Sequence, residues 1–405
     1  MMPAFLGSDV IRTRFSNAMS DMYRAEVPQY AALLELVAET NDAALAKDAA
    51  LRGRMERSGE RSRIDGERHG AIRLGTAAEL RLVGRAFAVM GMRAVGYYDL
   101  AAAGVPVHST AFRPIADADL AANPFRIFTS LLRLELIDDA RLRAEAEAIL
   151  AARSIVTPGA ISLIERAERE GGLDEADAQD FVTELLETFR WHSTATVDAA
   201  TYGQLVDAHR LIADVVSFRG PHINHLTPRT LDIDVAQAAM AARGMAPKET
   251  IEGPPRRACP ILLRQTSFKA LDEPILFPSG YGAAVAGRHT ARFGEIEQRG
   301  VALTRKGRAL YDAALAGEGD FADLPDDWDV LREKGLAYFR RGEGGYEPII
   351  YEDFLPVSAA GIFRSNLGRE ETRGAYGAQA NKASFEAALG CALIDEFALY
   401  DAAAG

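Results

Sequence analysis

Cysteine is almost missing from this chain: Cys259 and Cys391 are the only two in 405 residues, and they have no C-x-x-C spacing. That excludes a disulfide framework and a thiolate zinc cluster, leaves both cysteines as structural residues, and leads us to expect a reducing, cytoplasmic setting. Long apolar runs are missing too. No stretch approaches a membrane span, and the N-terminus MMPAFLGSDVIRTRF has no basic start followed by an apolar run, so no anchor or leader is expected. Positive charge is in deficit. With 46 Lys and Arg against 58 Asp and Glu, the net charge of -12 argues against a phosphate-binding surface and hence against nucleic acid as a partner. Phosphate-cradling loops are also missing: PSGYGAAVAG and RRGEGGYE lack both the G-x-G-x-x-G spacing and the P-loop ending and read as loops. There is no G-x-S-x-G elbow, which lowers a serine-hydrolase reading.

What the chain does have is ample apolar content, 48%, for a sizeable core. Residues 1–62 show helical apolar spacing, as in VPQYAALLELVAETN, and end in the charged run RGRMERSGERSR, an exposed helix or connector. Residues 63–122 change texture: ERHGAIRLG reads as a strand, TAAELRLVGRAFAVMG as a helix, and MRAVGYYDL and VPVHSTAFRPI as strands. Residues 123–218 are rich in Ala, Leu, Glu and Arg at helical spacing and read as an all-helical insertion. Residues 219–405 then repeat the earlier order. HINHLTPR, DIDVAQAAMAARGM, KETIEGPP, ILLRQTSFKAL and ARFGEIEQRGVAL run strand, helix, strands. Each unit opens on a His-bearing strand and closes its helix with a glycine where left-handed backbone is wanted. The expected fold is therefore α+β: duplicated βαβββ modules forming a cupped mixed sheet, with N-terminal helices and a helical insertion, as one compact catalytic domain.

A cup of this kind needs a ligand or metal to justify polar groups on its concave face. His69 opens the first module and His225 the second, and a carboxylate on the last strand, Glu295 or Glu297 on the same face, completes a 2-His-1-carboxylate set. Such a set leaves open positions on octahedral iron, although zinc or manganese could use the same ligands. His222 lies three residues before His225 and reads as a loop or supporting group. The other histidines, His108, His192, His209 and His289, have no paired context and are assigned nothing.

These segments resemble the vicinal oxygen chelate superfamily. RFGEIEQRG looks like the F-x-E-x-x-Q-R stretch that carries the glutamate ligand of 4-hydroxyphenylpyruvate dioxygenases, which makes Glu295 the ligand. GAYGAQANKASFEAALG looks like their closing helix, which caps the pocket, with Phe385 in the aromatic place. More closely, ERHGAIR, GPHINHLTPR, FGEIEQRG and YEDFLPVSAAGIFRSNLG together resemble the 2-oxoadipate dioxygenase/decarboxylase family across most of the chain. The H-x-x-x-R motif of that family maps onto His69 and Arg73, implying a metal ligand and a substrate-binding, catalytic arginine. LPVSAAG maps Val357 and Ser358 onto substrate-selecting positions. Residues four apart on a strand share a face, so Arg73 can reach into the cup, where a guanidinium suits a carboxylate. The bland alternatives are an ion pair of Arg73 with Asp65, Glu67 or Glu79, and a tight turn at Val357 and Ser358.

The resemblance implies an Fe(II) enzyme that takes a small 2-oxo acid and O2. It converts 2-oxoadipate to 2-hydroxyglutarate and CO2, in lysine catabolism. The distal carboxylate needs a cation or donor, which Arg73, Ser358 or the arginine of ILLRQTSFK could supply. Two rivals stand beside this reading: a non-redox vicinal oxygen chelate isomerase or lyase using its metal as a Lewis acid, and a ligand-binding protein of the same fold.

Overall fold

Apolar residues three and four apart organise the N-terminus. In the computed structural model, which describes residues 5–279, 283–342, 345–355 and 378–405, α1 (Ser8–Glu26) buries Ile11, Phe15, Met19, Met22 and Tyr23 along one stripe. Helix α2 (Pro28–Lys47) does the same with Tyr30, Leu33, Leu36 and Val37, and starts on a proline whose missing N–H costs nothing there. The charged run that follows forms two short helices, α3 (Ala49–Arg57) and α4 (Glu60–Arg63).

β1 (Arg68–Leu74), α5 (Ala77–Val89), β2 (Arg93–Asp99) and β3 (Val107–Arg113) come in the expected order. Thr76 and Glu79 cap α5 reciprocally. Beyond the short α6 (Asp117–Ala122), residues 123–218 depart from the all-helical expectation, because they begin with a strand, β4 (Arg126–Leu132). It lies parallel to β1, pairing His69 with Arg126 and Arg73 with Ser130, and antiparallel to β3. All seven of its residues are buried, so the apolar-polar alternation that marks a half-exposed strand is absent from RIFTSLL. Only then do the helices α7 (Ala140–Ala152), α8 (Pro158–Glu170), α9 (Glu175–Leu186), α10 (Ala199–Ala208) and α11 (Arg210–Val216) follow.

β5 (His225–Pro228) returns to the sheet antiparallel to β1, setting His225 opposite Ala71 and Thr227 opposite His69. The sheet order is β2-β3-β4-β1-β5. Helix α12 (Ile233–Met240) leads to Gly244, whose φ of 73° matches the 70° of Gly91 after α5, and both glycines take the left-handed backbone their positions call for. KETIEGPP, expected as a strand, makes only isolated bridges, since two consecutive prolines end its capacity to donate. The strands β6 (Leu263–Ser267), β7 (Asp272–Phe277), β8 (Val285–Thr290) and β9 (Glu295–Arg299) pair antiparallel as β6 with β9 and β7 with β8. β9 runs beside β5 in parallel, joined by the Arg229–Glu297 bridge and by the Thr230 N–H donated to the Glu297 carbonyl at 2.7 Å.

The chain continues through α13 (Arg305–Ala316), α14 (Trp328–Glu333) and the hairpin of β10 (Phe339–Gly342) and β11 (Gly345–Pro348) to α15 (Ala378–Leu389) and α16 (Glu396–Ala404). Helix α15 packs against α5 and β2, with Phe385 edge-on to His108 at 4.8 Å. Ile72, Leu74, Phe112 and Phe385 share one buried cluster, while Ala71, Ala111 and Phe128 belong to another. The alternation of β1 and β3 sets these clusters on opposite faces. The described part of α15 therefore covers the outer face of the sheet and not the face that bears His69, contrary to the capping role expected of it. No helix among the described residues is long and apolar enough to cross a membrane.

Candidate metal centre

His69, Ala71 and Arg73 point to one face of β1, because alternate strand residues share a side. The register then brings His225 and Thr227 of β5 beside them, and the β5–β9 bridge adds Glu295 and Glu297. One ligand atom from each of His69, His225 and Glu295 lies within 4.8 Å of the others, and all three side chains are buried. His69 Nε2 stands 3.1 Å from Glu295 Oε1, and the two imidazole rings meet edge to face at 5.3 Å. Phe293 stacks on His225 and Phe354 meets His69 edge-on, which fixes both rings.

Glu297 plays a different part from Glu295. Its Oε2 lies 2.9 Å from His69 Nδ1, a close ion-pair contact that is out of line for a straight hydrogen bond. Arg299 grips both of its oxygens, at 2.8 and 2.9 Å. Burial opposes the Glu297 charge, but Arg299, His69 and Arg126 overcome it and hold the carboxyl down at about 2. A carboxylate behind the far nitrogen of a histidine fixes the tautomer that leaves the near nitrogen basic. The contacts of Glu295 fall on one oxygen only, Oε1, which accepts from Thr227 Oγ1 at 3.1 Å and Gln265 Nε2 at 2.7 Å and lies 3.1 Å from His69 Nε2.

Several buried atoms here have no hydrogen-bond partner among the described residues, His69 Nδ1 and Gln265 Oε1 included; two of them, Glu295 Oε2 and His225 Nε2, are acceptors on the candidate ligands, while His225 Nδ1 is engaged by Thr227 at 2.9 Å. Orphaned buried acceptors are costly and call for a ligand. A divalent cation fits them: both atoms are acceptors, and His225 is kept neutral. Burial pushes its imidazole down to about 4, with Glu295 opposing. His69 is the counterpart. Burial works against its charged form, yet Glu297 and Glu295 raise its proton affinity above the ordinary value. The arrangement can hold a metal with room for further ligands.

A second His-His-carboxylate group lies along the cup: Asp214, His222 and His289, also buried with ligand atoms within 4.8 Å of one another. Here the carboxylate already has a cation, because Arg73 Nη1 is 2.6 Å from Asp214 Oδ2, and His289 Nε2 is 2.8 Å from Oδ1. A guanidinium on the carboxylate repels a metal ion, so the group reads as a hydrogen-bonded cluster. Arg73 thus pairs with Asp214, whereas Glu67 binds Arg126 and Arg229 and Glu79 binds Arg153.

Among the residues expected at the site, His69, His225, Glu295 and Arg73 converge in one cup, and Glu297 supports His69. Val357 and Ser358 lie outside the described residues. The arginine of ILLRQTSFK, Arg264, points away, bound to Asp234 on α12 at 2.7 and 3.2 Å. His209 accepts the Leu211 N–H at the start of α11, a structural role. Sequence reasoning did not find Thr227, Gln265, Asp214 or His289. Only Thr227 and Gln265 left a signal, each standing two residues from, or directly across the sheet from, a residue already singled out.

A family profile described as 2-oxoadipate dioxygenase/decarboxylase matches residues 15–366. The 2-oxoadipate dioxygenase/decarboxylase of Pseudomonas putida is 54% identical over 447 aligned positions, covering 98% of this chain and 96% of that protein. The Escherichia coli protein of the same description is 55% identical over 435 positions with the same coverage. The crystal structure of the Pseudomonas putida hydroxyglutarate synthase in complex with 2-oxoadipate matches with a TM-score of 0.90 at 52% identity, covering 99% of this chain and 96% of that one.

Proposed function

The chain belongs to the 2-oxoadipate dioxygenase/decarboxylase family, and we propose that it performs that family's reaction at a single Fe(II) held by His69, His225 and Glu295. The reaction is oxidative decarboxylation of 2-oxoadipate. The six-carbon acid and O2 give five-carbon 2-hydroxyglutarate and CO2, and no separate reductant is needed. The observation that carries the metal reading is the pair of orphaned buried acceptors, Glu295 Oε2 and His225 Nε2, beside a histidine backed by a carboxylate.

Bound there, Fe(II) supplies the one-electron chemistry that O2 requires and a chelation point for the 2-oxo acid end. The protein supplies the rest. Glu297 keeps the His69 proton on Nδ1, so that Nε2 faces the cup. Thr227 and Gln265 hold one oxygen of Glu295 and so aim the other. Phe293 and Phe354 stiffen the imidazoles and exclude water from their flanks. Strand rise puts the Cα atoms of His69 and Arg73 about 13 Å apart. Arg73 therefore meets the far end of a substrate whose 2-oxo end lies by the histidines, and with Arg264 turned outward the distal carboxylate is assigned to Arg73. Val357 and Ser358 complete the proposed pocket by family likeness.

The duplicated βαβββ reading of the fold has support from pairing. β1 runs parallel to β4 and β5 to β9, with β3 and β6 antiparallel to the latter strand of each pair. On this reading the N-terminal helices, two modules and intervening helices make one catalytic unit. Cytoplasmic lysine catabolism is the setting that cysteine usage and substrate suggest.

The test is oxygen uptake by Fe(II)-loaded protein with a panel of 2-oxo acids, comparing wild type with His225→Ala. Uptake on 2-oxoadipate that is lost in the variant is expected. Turnover without oxygen consumption would favour a Lewis-acid isomerase or lyase, and stoichiometric binding without turnover a ligand-binding protein. Either result overturns the proposal.

A further inference from the structure

Asp214 is a buried carboxylate at the end of α11 that the reaction itself does not call for. It stands where four elements meet. Arg73 of β1 reaches its Oδ2 at 2.6 Å, and His289 of β8 reaches its Oδ1 at 2.8 Å. Tyr202 of α10 in turn bonds His289 Nδ1 at 2.9 Å. One tautomer satisfies the whole chain: the Tyr202 hydroxyl donates to Nδ1, and the Nε2 proton of His289 goes to Asp214. Trp191 lies flat against His289, with ring centroids 5.8 Å apart at 12°, and His222 approaches the same carboxylate oxygen at 3.4 Å. Burial opposes the Asp214 charge, yet His222, Arg73 and the His289 hydrogen bond hold the carboxyl well below its ordinary range, while burial pushes the His222 imidazole down to about 3. Asp214 is thus an anion built into the wall and locked from behind.

We propose that Asp214, set by His289 and Tyr202, is the positioning residue that fixes the Arg73 guanidinium for the distal carboxylate, and so makes this enzyme select 2-oxo diacids over 2-oxo monoacids. The inference rests on Arg73 binding the distal carboxylate, as argued above. An arginine side chain has many rotamers and a rigid donor fork, so clamping one arm pre-organises the direction of the others. A monoacid would bury an alkyl end against that guanidinium and leave its donors facing a group that cannot accept. A site built to bond a polar group rejects an analogue that lacks it for the same reason. Asp214 also keeps the wall neutral before substrate enters, so Arg73 need not carry an uncompensated buried charge.

The test compares wild type, Asp214→Asn and Tyr202→Phe, all Fe(II)-loaded and checked for equal metal content. It reads the KM and kcat for 2-oxoadipate and the competitive inhibition constant of 2-oxohexanoate, which has the same carbon count and no distal carboxylate. In Asp214→Asn the KM for 2-oxoadipate should rise about tenfold, as expected for one misplaced charge-assisted contact, with kcat changed less than about threefold. The 2-oxohexanoate constant should stay put. Tyr202→Phe, which removes only a hydroxyl at the far end of the relay, should move the same ratio in the same direction by less, and it carries the test if Asp214→Asn does not fold. A parallel rise in both constants, or an unchanged KM, overturns the proposal. Failure of the functional reading is separate: it would appear as wild type that takes up no oxygen with 2-oxoadipate.

Discussion

Replacing Glu297 with glutamine separates the two carboxylates of β9 by their work. Glutamine keeps the shape but removes the charge beside His69 Nδ1 and half of the bidentate grip on Arg299. Loss of an acceptor behind a metal-ligating histidine typically weakens the metal 10- to 100-fold, or about 1.4 to 2.7 kcal/mol. Stability should fall as well. Removing one partner of a buried ion pair costs about 3 to 5 kcal/mol. Arg299 keeps the carbonyls of Tyr351 and Asp353 at 2.7 and 3.0 Å, so the low end is expected. The assay is anaerobic Co(II) or Fe(II) titration against a competing chelator, at a temperature where denaturant curves show each variant folded. Glu295→Gln, which alters a ligand, should lose more affinity than Glu297→Gln. If Glu297→Gln binds metal as tightly as wild type, or loses more than Glu295→Gln, the assignment of the two glutamates is wrong.

Burial and Asp353 raise the Glu396 carboxyl to about 6. A folded-state value above the unfolded one means the native state gains below about pH 4.5 and loses that gain as pH climbs through about 6, by at most about 2 kcal/mol. Glu396→Gln should therefore be more stable than wild type at pH 7.5 and equal to it at pH 4.5. Urea unfolding at the two pH values checks this, and a difference that ignores pH rejects it. Below the metal centre, Arg126 is buried against Glu67 and Glu352. Arg126→Met should cost about 3 kcal/mol, the low end for a broken buried pair, because Glu67 keeps Arg229 and Glu352 keeps Arg63, and Glu352→Gln added to it should cost less than the two single changes summed. Strict additivity in a denaturant double-mutant cycle would show that the pair does not interact.

Much of the fold was legible because its signals are local. Thr76 with Glu79, the glycines after α5 and α12, and the three-four spacing of α1 and α2 each speak within a few residues. β4 was not legible, because a strand buried on both faces has no alternation and RIFTSLL reads equally as a piece of helix. KETIEGPP misled in the other direction, since its β-prone residues stand directly before two prolines. The place of α15 was missed for a third reason: likeness to a closing helix says which residues form it, but Phe385 goes where Tyr97 and His108 make room.

The site divides along the same line. His69 and His225 were findable because each opens a strand that leads into a helix closed by glycine, and Glu295 because RFGEIEQRG resembles a known glutamate-bearing stretch. Asp214, His222 and His289 form a group of the same composition and the same closeness, yet no repeat relates them; they come from a helix end, a loop and a hairpin strand. Ligand type alone would make both groups metal sites. The difference is what surrounds the carboxylate. Around Glu295 the side chains at hydrogen-bond distance are Thr227, Gln265 and the candidate ligand His69, none of them a guanidinium, and one oxygen is left without a hydrogen-bond partner among the described residues, which leaves it open to a metal cation. Around Asp214 that cation is already present as Arg73. That charge decides the matter: at Glu295 it favours a metal, and at Asp214 it makes the same three residue types a mount for an arginine.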